Sequence, residues 1–313
     1  MVGGVGVAGH HHGELFQGAV VRDGEVVLCL ITMPARGVGS TARYVPGVLA
    51  SAARTPAGQV SSAHAPVLEV LPAWKTKAQR AAALALAFIG APAAGRLELN
   101  CAVATGVGLG SSTCDVVAAI RAVCSAYDVT LDSGDVARLA IEAEGAADPI
   151  MFDGEMVLFA QRHGRVLESF ASWVPCYTVL SIDTDEGSEG VDTLSLPCPA
   201  YTDSELAAFE SLVGRARDAF QQRDSQAIAA IATESAALNQ RFLALRNFRE
   251  LRELAEKSGA LGVQISHSGT LAGILFDPCV VQPNSLFAAQ VADRVRALRL
   301  RPLGLFTTGT VGG

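Results

Sequence analysis

The period of the apolar positions changes several times along the chain, and each change marks an element. Residues 19–21 and 25–32 are rich in β-branched side chains and flank Arg22-Asp23-Gly24, which predicts a hairpin. Residues 35–70, rich in Gly, Pro, Ser and Ala, read as loops with one strand near 66–71. The Ala/Leu-dense run 75–89 is helical and stops at Gly90 and Pro92. Polar and apolar residues alternate over 96–103, a half-buried strand. Helices are predicted over 113–127 and 133–144, then strands over 155–161, 165–170 and 177–182. The acidic, proline-bearing stretch 183–199 reads as a linker. Beyond it come helices over 203–222 (capped by Asp203 or Ser204), 225–245 and 247–258. Strands at 261–266 and 271–276, a helix at 286–298 and a strand at 303–308 complete the chain. Helices and strands mix without a strict βαβ repeat, so the fold class is α+β.

A length of 313 residues suggests one large domain or two modest ones. With 50% hydrophobic and 18% charged residues, the chain is neither disordered, nor a collagen-like fibre, nor a disulfide miniprotein. Its longest apolar stretch, 81–90, is too short to span a bilayer, so no membrane partner is expected. The net charge of −7 argues against a sequence-blind nucleic-acid binder. Seven cysteines without a CxxC pair, and an N-terminus without the order of a secretory signal, read as reduced thiols in a cytoplasmic protein.

Candidate chemistry concentrates in Thr105-Gly106-Val107-Gly108-Leu109-Gly110-Ser111-Ser112-Thr113, between a strand and a helix. Glycines at alternate positions let the backbone approach an anion closely. Ser111, Ser112 and Thr113 open a helix whose unpaired N–H groups and positive dipole end suit a di- or triphosphate. Their hydroxyls also suit phosphate or a magnesium ion. The GxGxxG dinucleotide pattern is not met, and no lysine lies between Lys77 and Lys257 to complete a Walker loop. Phosphate binding here must rely on backbone N–H groups and a metal; the rival reading is an ordinary glycine-rich turn.

These residues resemble the GHMP small-molecule kinases, which include galactokinase, homoserine kinase and mevalonate kinase. The GLGSS core of that family's ATP loop is matched by Gly108-Leu109-Gly110-Ser111-Ser112, with Ala104 or Thr105 where the family has proline. His11-His12-Gly13-Glu14-Leu15-Phe16-Gln17-Gly18 looks like the GELxQG signature of the family's L-threonine kinase branch. Ser266-His267-Ser268-Gly269-Thr270 resembles that branch's HSGT form of the third motif. The three motifs stand in the family's order at the start, middle and late part of the chain.

The resemblance implies an N-terminal α+β domain (1–185) and a C-terminal ferredoxin-like domain (186–313), with ATP and acceptor in the cleft between them. It implies transfer of the ATP γ-phosphate to the hydroxyl of a small amino-acid-like molecule, helped by Mg2+, with L-threonine the leading acceptor. The alternatives are another hydroxylated amino acid, a sugar, or a nucleotide-binding regulator that has lost catalysis. ATP would meet Gly106, Gly108, Leu109, Gly110, Ser111, Ser112 and Thr113. Asp148 stands where the family keeps its catalytic aspartate, as a base or as an orienting group, while Ser112 with Glu144 (or Glu142) would hold the metal. The branch has an EPxD-like segment here, and Glu144-Gly-Ala-Ala-Asp148 is one residue longer. Glu14 is the partner expected for an acceptor ammonium, with His12, Gln17, His267, Ser268 and Gly269 as further acceptor contacts and Arg36 or Arg43 for its carboxylate. His10-His11-His12 suits a metal poorly, because consecutive side chains of an extended segment alternate in direction. The expected partners are a small-molecule substrate and a second copy of the chain in a homodimer.

Overall fold

Asp23 and Gly24 both take positive φ, 54° and 81°, so the predicted hairpin closes through a two-residue turn whose twist suits antiparallel strands. Its strands, β1 (Gly4–Arg22) and β2 (Glu25–Pro46), pair from Arg22↔Glu25 to Gly4↔Tyr44 and run far beyond their expected ends. Residues 35–46, expected as loop, are strand. Their small residues carry no local strand signal, but β1 on one side and β4 (Gly95–Cys101) on the other supply hydrogen-bond partners. The computed structural model describes residues 3–47, 67–101, 111–184 and 199–309.

The remaining elements are β3 (Leu68–Leu71), α1 (Thr76–Phe88), α2 (Ser111–Ala126), α3 (Ser133–Glu144), β5 (Met156–Ala160), β6 (Arg165–Ala171) and β7 (Thr178–Asp183). They continue with α4 (Asp203–Gln222), α5 (Ser225–Leu238), α6 (Phe248–Lys257), β8 (Gly262–Ile265), β9 (Leu271–Phe276), α7 (Leu286–Ala297) and β10 (Arg301–Thr307). One mixed sheet in the order β10-β7-β9-β8-β1-β2-β4-β3 joins both halves of the chain, and β5 with β6 branches from β2. The α+β class is as expected. β7 pairs with β9 and β10, so this strand, which precedes residue 185, lies in the part of the sheet built by the C-terminal half.

Three apolar clusters hold the layers. Buried alanines and valines of α1, α2 and α3 cover β1, β2 and β4; α4 and α5 cover the turn half of the hairpin; α6 and α7 cover β7 to β10. The contact of α2 with β1 is unusually close. A Cβ on Gly6 would lie 2.1 Å from the Ala118 carbonyl oxygen, so glycine on the strand and alanines on the helix set this spacing. That spacing brings the start of α2 up to the middle of β1.

Helix ends follow local chemistry. Asp132 caps α3 by accepting from Asp135 N–H at 2.8 Å, and Gly145 ends it in the left-handed conformation. Thr202, not Asp203 or Ser204, caps α4: its hydroxyl accepts from Glu205 N–H, and the Glu205 carboxylate accepts from Thr202 N–H. α5 stops at Leu238, short of the expected 245, because the buried Asn239 turns its amide onto the Gln17 and Ser235 carbonyls. No helix among the described residues is long and apolar enough to cross a membrane.

Candidate active site

The first turn of α2 carries three hydroxyls, and two of them reach carboxylates behind it. Ser112 Oγ donates to Glu144 Oε2 at 2.7 Å, and Thr113 Oγ1 lies 3.4 Å from Asp148 Oδ2. Glu144 ends α3 and is 5% exposed; burial pushes its carboxyl up to about 7, even though the Ser112 hydroxyl favours the anion. Its Oε1 has no hydrogen-bond partner among the described residues. An oxygen-only donor set with an orphaned carboxylate oxygen, beside a helix start, fits a hard divalent cation. Further along α2, Asp115 accepts from Ser40 Oγ at 2.6 Å and from the buried Lys75 ammonium, a structural pair that ties α2 to β2 and α1.

Across Asp148 lies a second cluster. Its position comes from the loop after α3, while His11 and Glu14 come from β1 and His267 from the turn between β8 and β9. His11 Nε2 donates to Asp148 Oδ2 at 2.9 Å, and His267 Nδ1 is 3.5 Å from Asp148 Oδ1. Glu14 Oε2 accepts from Thr32 Oγ1 at 2.6 Å; its Oε1 faces His11 Nδ1 at 4.0 Å and His267 Nδ1 at 3.8 Å. Burial alone would raise the Asp148 carboxyl, but the His11 and His267 charges outweigh it and hold it well below the usual carboxylate range. The same carboxylates overcome burial at the imidazoles: His11 is raised, and His267 is pushed up to about 9. Beside His11 a cavity of about 250 Å³ opens, lined in part by Thr32, Pro34, Pro149, Ile150 and Val157.

His11 and Glu14 share a face because Gly13 interrupts the strand. At φ +62° it forms a bulge, and the register against β2 shifts between His11 and Glu14. Sequence alternation correctly separates His11 from His12, but it misses His11 as a site residue. Its only local signal is the glycine between it and Glu14.

Of the sequence-derived candidates, Asp148, Glu14 and His267 meet in one cluster, and Ser112 meets Glu144. His12 does not join them. Its ring lies on the opposite face, with Nε2 2.8 Å from Ser181 Oγ and Nδ1 on the Gln264 amide, so it is a buried structural group and not an acceptor contact. Burial lowers its pKa to about 3. Gln17 holds α5 through its main chain: its N–H donates to Ser235 Oγ at 2.8 Å, and its carbonyl accepts from Asn239. Ser268 bonds the hydroxyls of Ser266 and Thr270 at 3.0 and 2.8 Å, and Gly269, at φ +75°, donates to the Ser266 carbonyl, so this turn largely satisfies itself. Glu142 lies on α3 beside the exposed helix surface, and Arg43 is exposed on β2 in register with Glu98. Ser111 opens α2 partly exposed; Gly106, Gly108, Leu109 and Gly110 lie outside the described residues.

A helix start bearing hydroxyls, set against buried carboxylates at the junction of two halves, is the arrangement a phosphoryl-transfer site needs. Residues 76–153 match the model of the GHMP kinases N terminal domain, and residues 216–297 match that of the GHMP kinases C terminal domain. The chain belongs to the GHMP kinases, a family of small-molecule kinases. It is 23% identical to the L-threonine kinase of Citrobacter freundii over 182 residues, which covers 58% of this chain and 62% of that protein, less than two thirds of its length. Homoserine kinase from Cytophaga hutchinsonii superposes with a TM-score of 0.67 at 16% identity, covering 99% of this chain and 95% of that one. Mevalonate kinase from Methanococcus jannaschii gives 0.61 at 11% identity, covering 99% and 98%. Both share the fold.

Proposed function

We propose that the protein transfers the γ-phosphate of ATP to the side-chain hydroxyl of a small amino-acid-like metabolite, with L-threonine the leading acceptor. The observation that carries this reading is the position of Asp148. It touches Thr113 of the phosphate-side helix start and the imidazoles of the Glu14 cluster, so one carboxylate links the two ends of the site. The partial likeness to an L-threonine kinase supports an amino-acid acceptor.

ATP phosphates meet the glycine-rich segment ending at Gly110 and the N–H groups that open α2. Ser112 and Glu144 are the residues that hold Mg2+, which when bound neutralises charge on the phosphates. Asp148, kept anionic by His11 and His267, is a weak base whose charge still accepts a hydrogen bond. It therefore orients the acceptor hydroxyl toward the γ-phosphate, and positioning supplies most of the rate in a loose phosphoryl-transfer transition state. The free oxygen of Glu14 is the partner for the acceptor's ammonium.

The test is ADP release with ATP and Mg2+ across threonine, serine, homoserine, a hydroxylated basic amino acid, galactose and mevalonate. Turnover with an amino acid is expected. Turnover with a sugar alone rejects the amino-acid reading and leaves the kinase; no turnover with any acceptor, together with tight ATP binding, favours a non-catalytic nucleotide-binding regulator.

A further inference from the structure

Three buried polar atoms of the acceptor-side cluster lack a hydrogen-bond partner among the described residues: His11 Nδ1, Glu14 Oε1 and His267 Nδ1. They converge on Glu14 Oε1, which is 4.0 Å from His11 Nδ1 and 3.8 Å from His267 Nδ1. In the first two side chains the other heteroatom is already engaged. Asp148 Oδ2 accepts from His11 Nε2 at 2.9 Å, which commits a proton to Nε2 and lets Nδ1 serve as a ligand. Thr32 Oγ1 donates to Glu14 Oε2 at 2.6 Å, which fixes the carboxylate with its other oxygen turned inward. Asp148 Oδ1 lies 3.5 Å from His267 Nδ1.

Imidazoles that donate their second N–H to a carboxylate, and carboxylates held by a hydroxyl, are the outer supports that orient metal ligands. A tetrahedral ion with bonds of about 2.0–2.1 Å sets its ligands about 3.3 Å apart, so binding would draw Glu14 Oε1 and the two imidazole nitrogens inward from 4.0 and 3.8 Å. Mixed imidazole and carboxylate donors select a borderline ion over Mg2+. One divalent charge also balances two carboxylates, replacing the imidazole protons that do so in its absence. We infer that His11 Nδ1, Glu14 Oε1 and His267 Nδ1 form a three-ligand site, with an open fourth position, for a divalent cation of the Zn2+ class, separate from the oxygen-only Ser112–Glu144 pair; Asp148 is the carboxylate that holds His11 Nε2.

Such an ion stands where the proposed acceptor ammonium would sit, so ion and acceptor exclude each other. The inference rests on the geometry of the cluster and not on which acceptor the enzyme uses. Its test contains neither nucleotide nor acceptor, so its failure and that of the kinase reading are distinguishable.

The metal-stripped full-length protein is titrated with Co2+ and followed by visible absorption, then with Zn2+ in competition with a chromogenic chelator. Saturation near one equivalent is expected, with the intense d–d bands of a four- or five-coordinate site. His267→Ala and Glu14→Gln should each weaken binding tenfold or more, and Thr32→Val by roughly 10–100-fold as an outer-support change. Ser112→Ala should leave binding unchanged. His267 is 25% exposed on a turn, so its truncation removes a ligand without opening the core and keeps the test valid should Glu14→Gln misfold. Absence of saturable binding to the folded protein, binding indifferent to His267→Ala, or binding lost through Ser112→Ala instead, overturns the inference.

Discussion

His11 Nδ1 lies 4.0 Å from Glu14 Oε1 on one face of β1, although residues three apart on an unbroken strand point to opposite faces. The bulge at Gly13 makes the difference, and any side chain there is strained. A Cβ at this position would lie 1.6 Å from Gln264 Oε1, and φ is +62°. Gly13→Ala should therefore destabilise the protein by at least about 1–3 kcal/mol, the range for a strained backbone, with the clash in addition. Thermal unfolding checks this, and an unchanged midpoint would show that the bulge is not required.

Asp148 is the second point of test. Asp148→Asn removes the charge that balances His11 and His267 and the acceptor's orienting group at once. A kcat loss of about 10²-fold or more is expected, with ATP affinity nearly unchanged. A kcat within about threefold of wild type would mean that positioning by the rest of the site suffices.

The ammonium assignment predicts a split between substrates. Removing one partner of a buried charge pair costs about 2–5 kcal/mol, so Glu14→Gln should raise the amino-acid KM by roughly 30-fold or more while the ATP KM stays close to wild type. A hydroxy acid lacking the amine should not feel the substitution. Equal effects on both KM values would remove Glu14 from the acceptor site.

Magnesium dependence tests the other end. Ser112→Ala and Glu144→Gln should each raise the Mg2+ concentration for half-maximal rate about tenfold, a change of about 1.4 kcal/mol. Steady-state rates across a Mg2+ series decide it. Dependence unaltered in both variants would place the metal elsewhere.

His12 predicts an acid limb in stability. Folded His12 stays neutral down to about 3, whereas the unfolded imidazole binds a proton near its ordinary value of 6.5. Protons therefore favour the unfolded chain below 6.5: the contribution is full above that pH and is lost as pH falls toward 3. At pH 4.5 the loss should be about 2–3 kcal/mol. Chemical denaturation with nucleotide and metal removed, compared between wild type and His12→Asn, isolates this term from Glu144 and His11, which gain proton affinity on folding. Parallel pH profiles for the two proteins would contradict the buried, neutral assignment.

The sequence alone determined what depends on neighbours along the chain. The Asp23-Gly24 turn, the core spans of the helices, the serines that open α2, and Glu14, Asp148 and His267 as candidates all follow from local periodicity, turn chemistry and motif. Helix ends were less legible where a cap or a buried side chain decided them, as Thr202 and Asn239 did. The tertiary structure alone decided what depends on distant partners. Residues 35–46 are strand because β1 and β4 flank them, and β7 is placed by its antiparallel pairing between β9 and β10. His11 faces Glu14 while His12 faces Ser181 and Gln264, and Thr32 and Asp148 complete the cluster from other elements. The reason is that side-chain direction on a strand has period two: one extra residue at Gly13 resets every direction after it, and only the pairing against β2 and β8 shows where that reset falls.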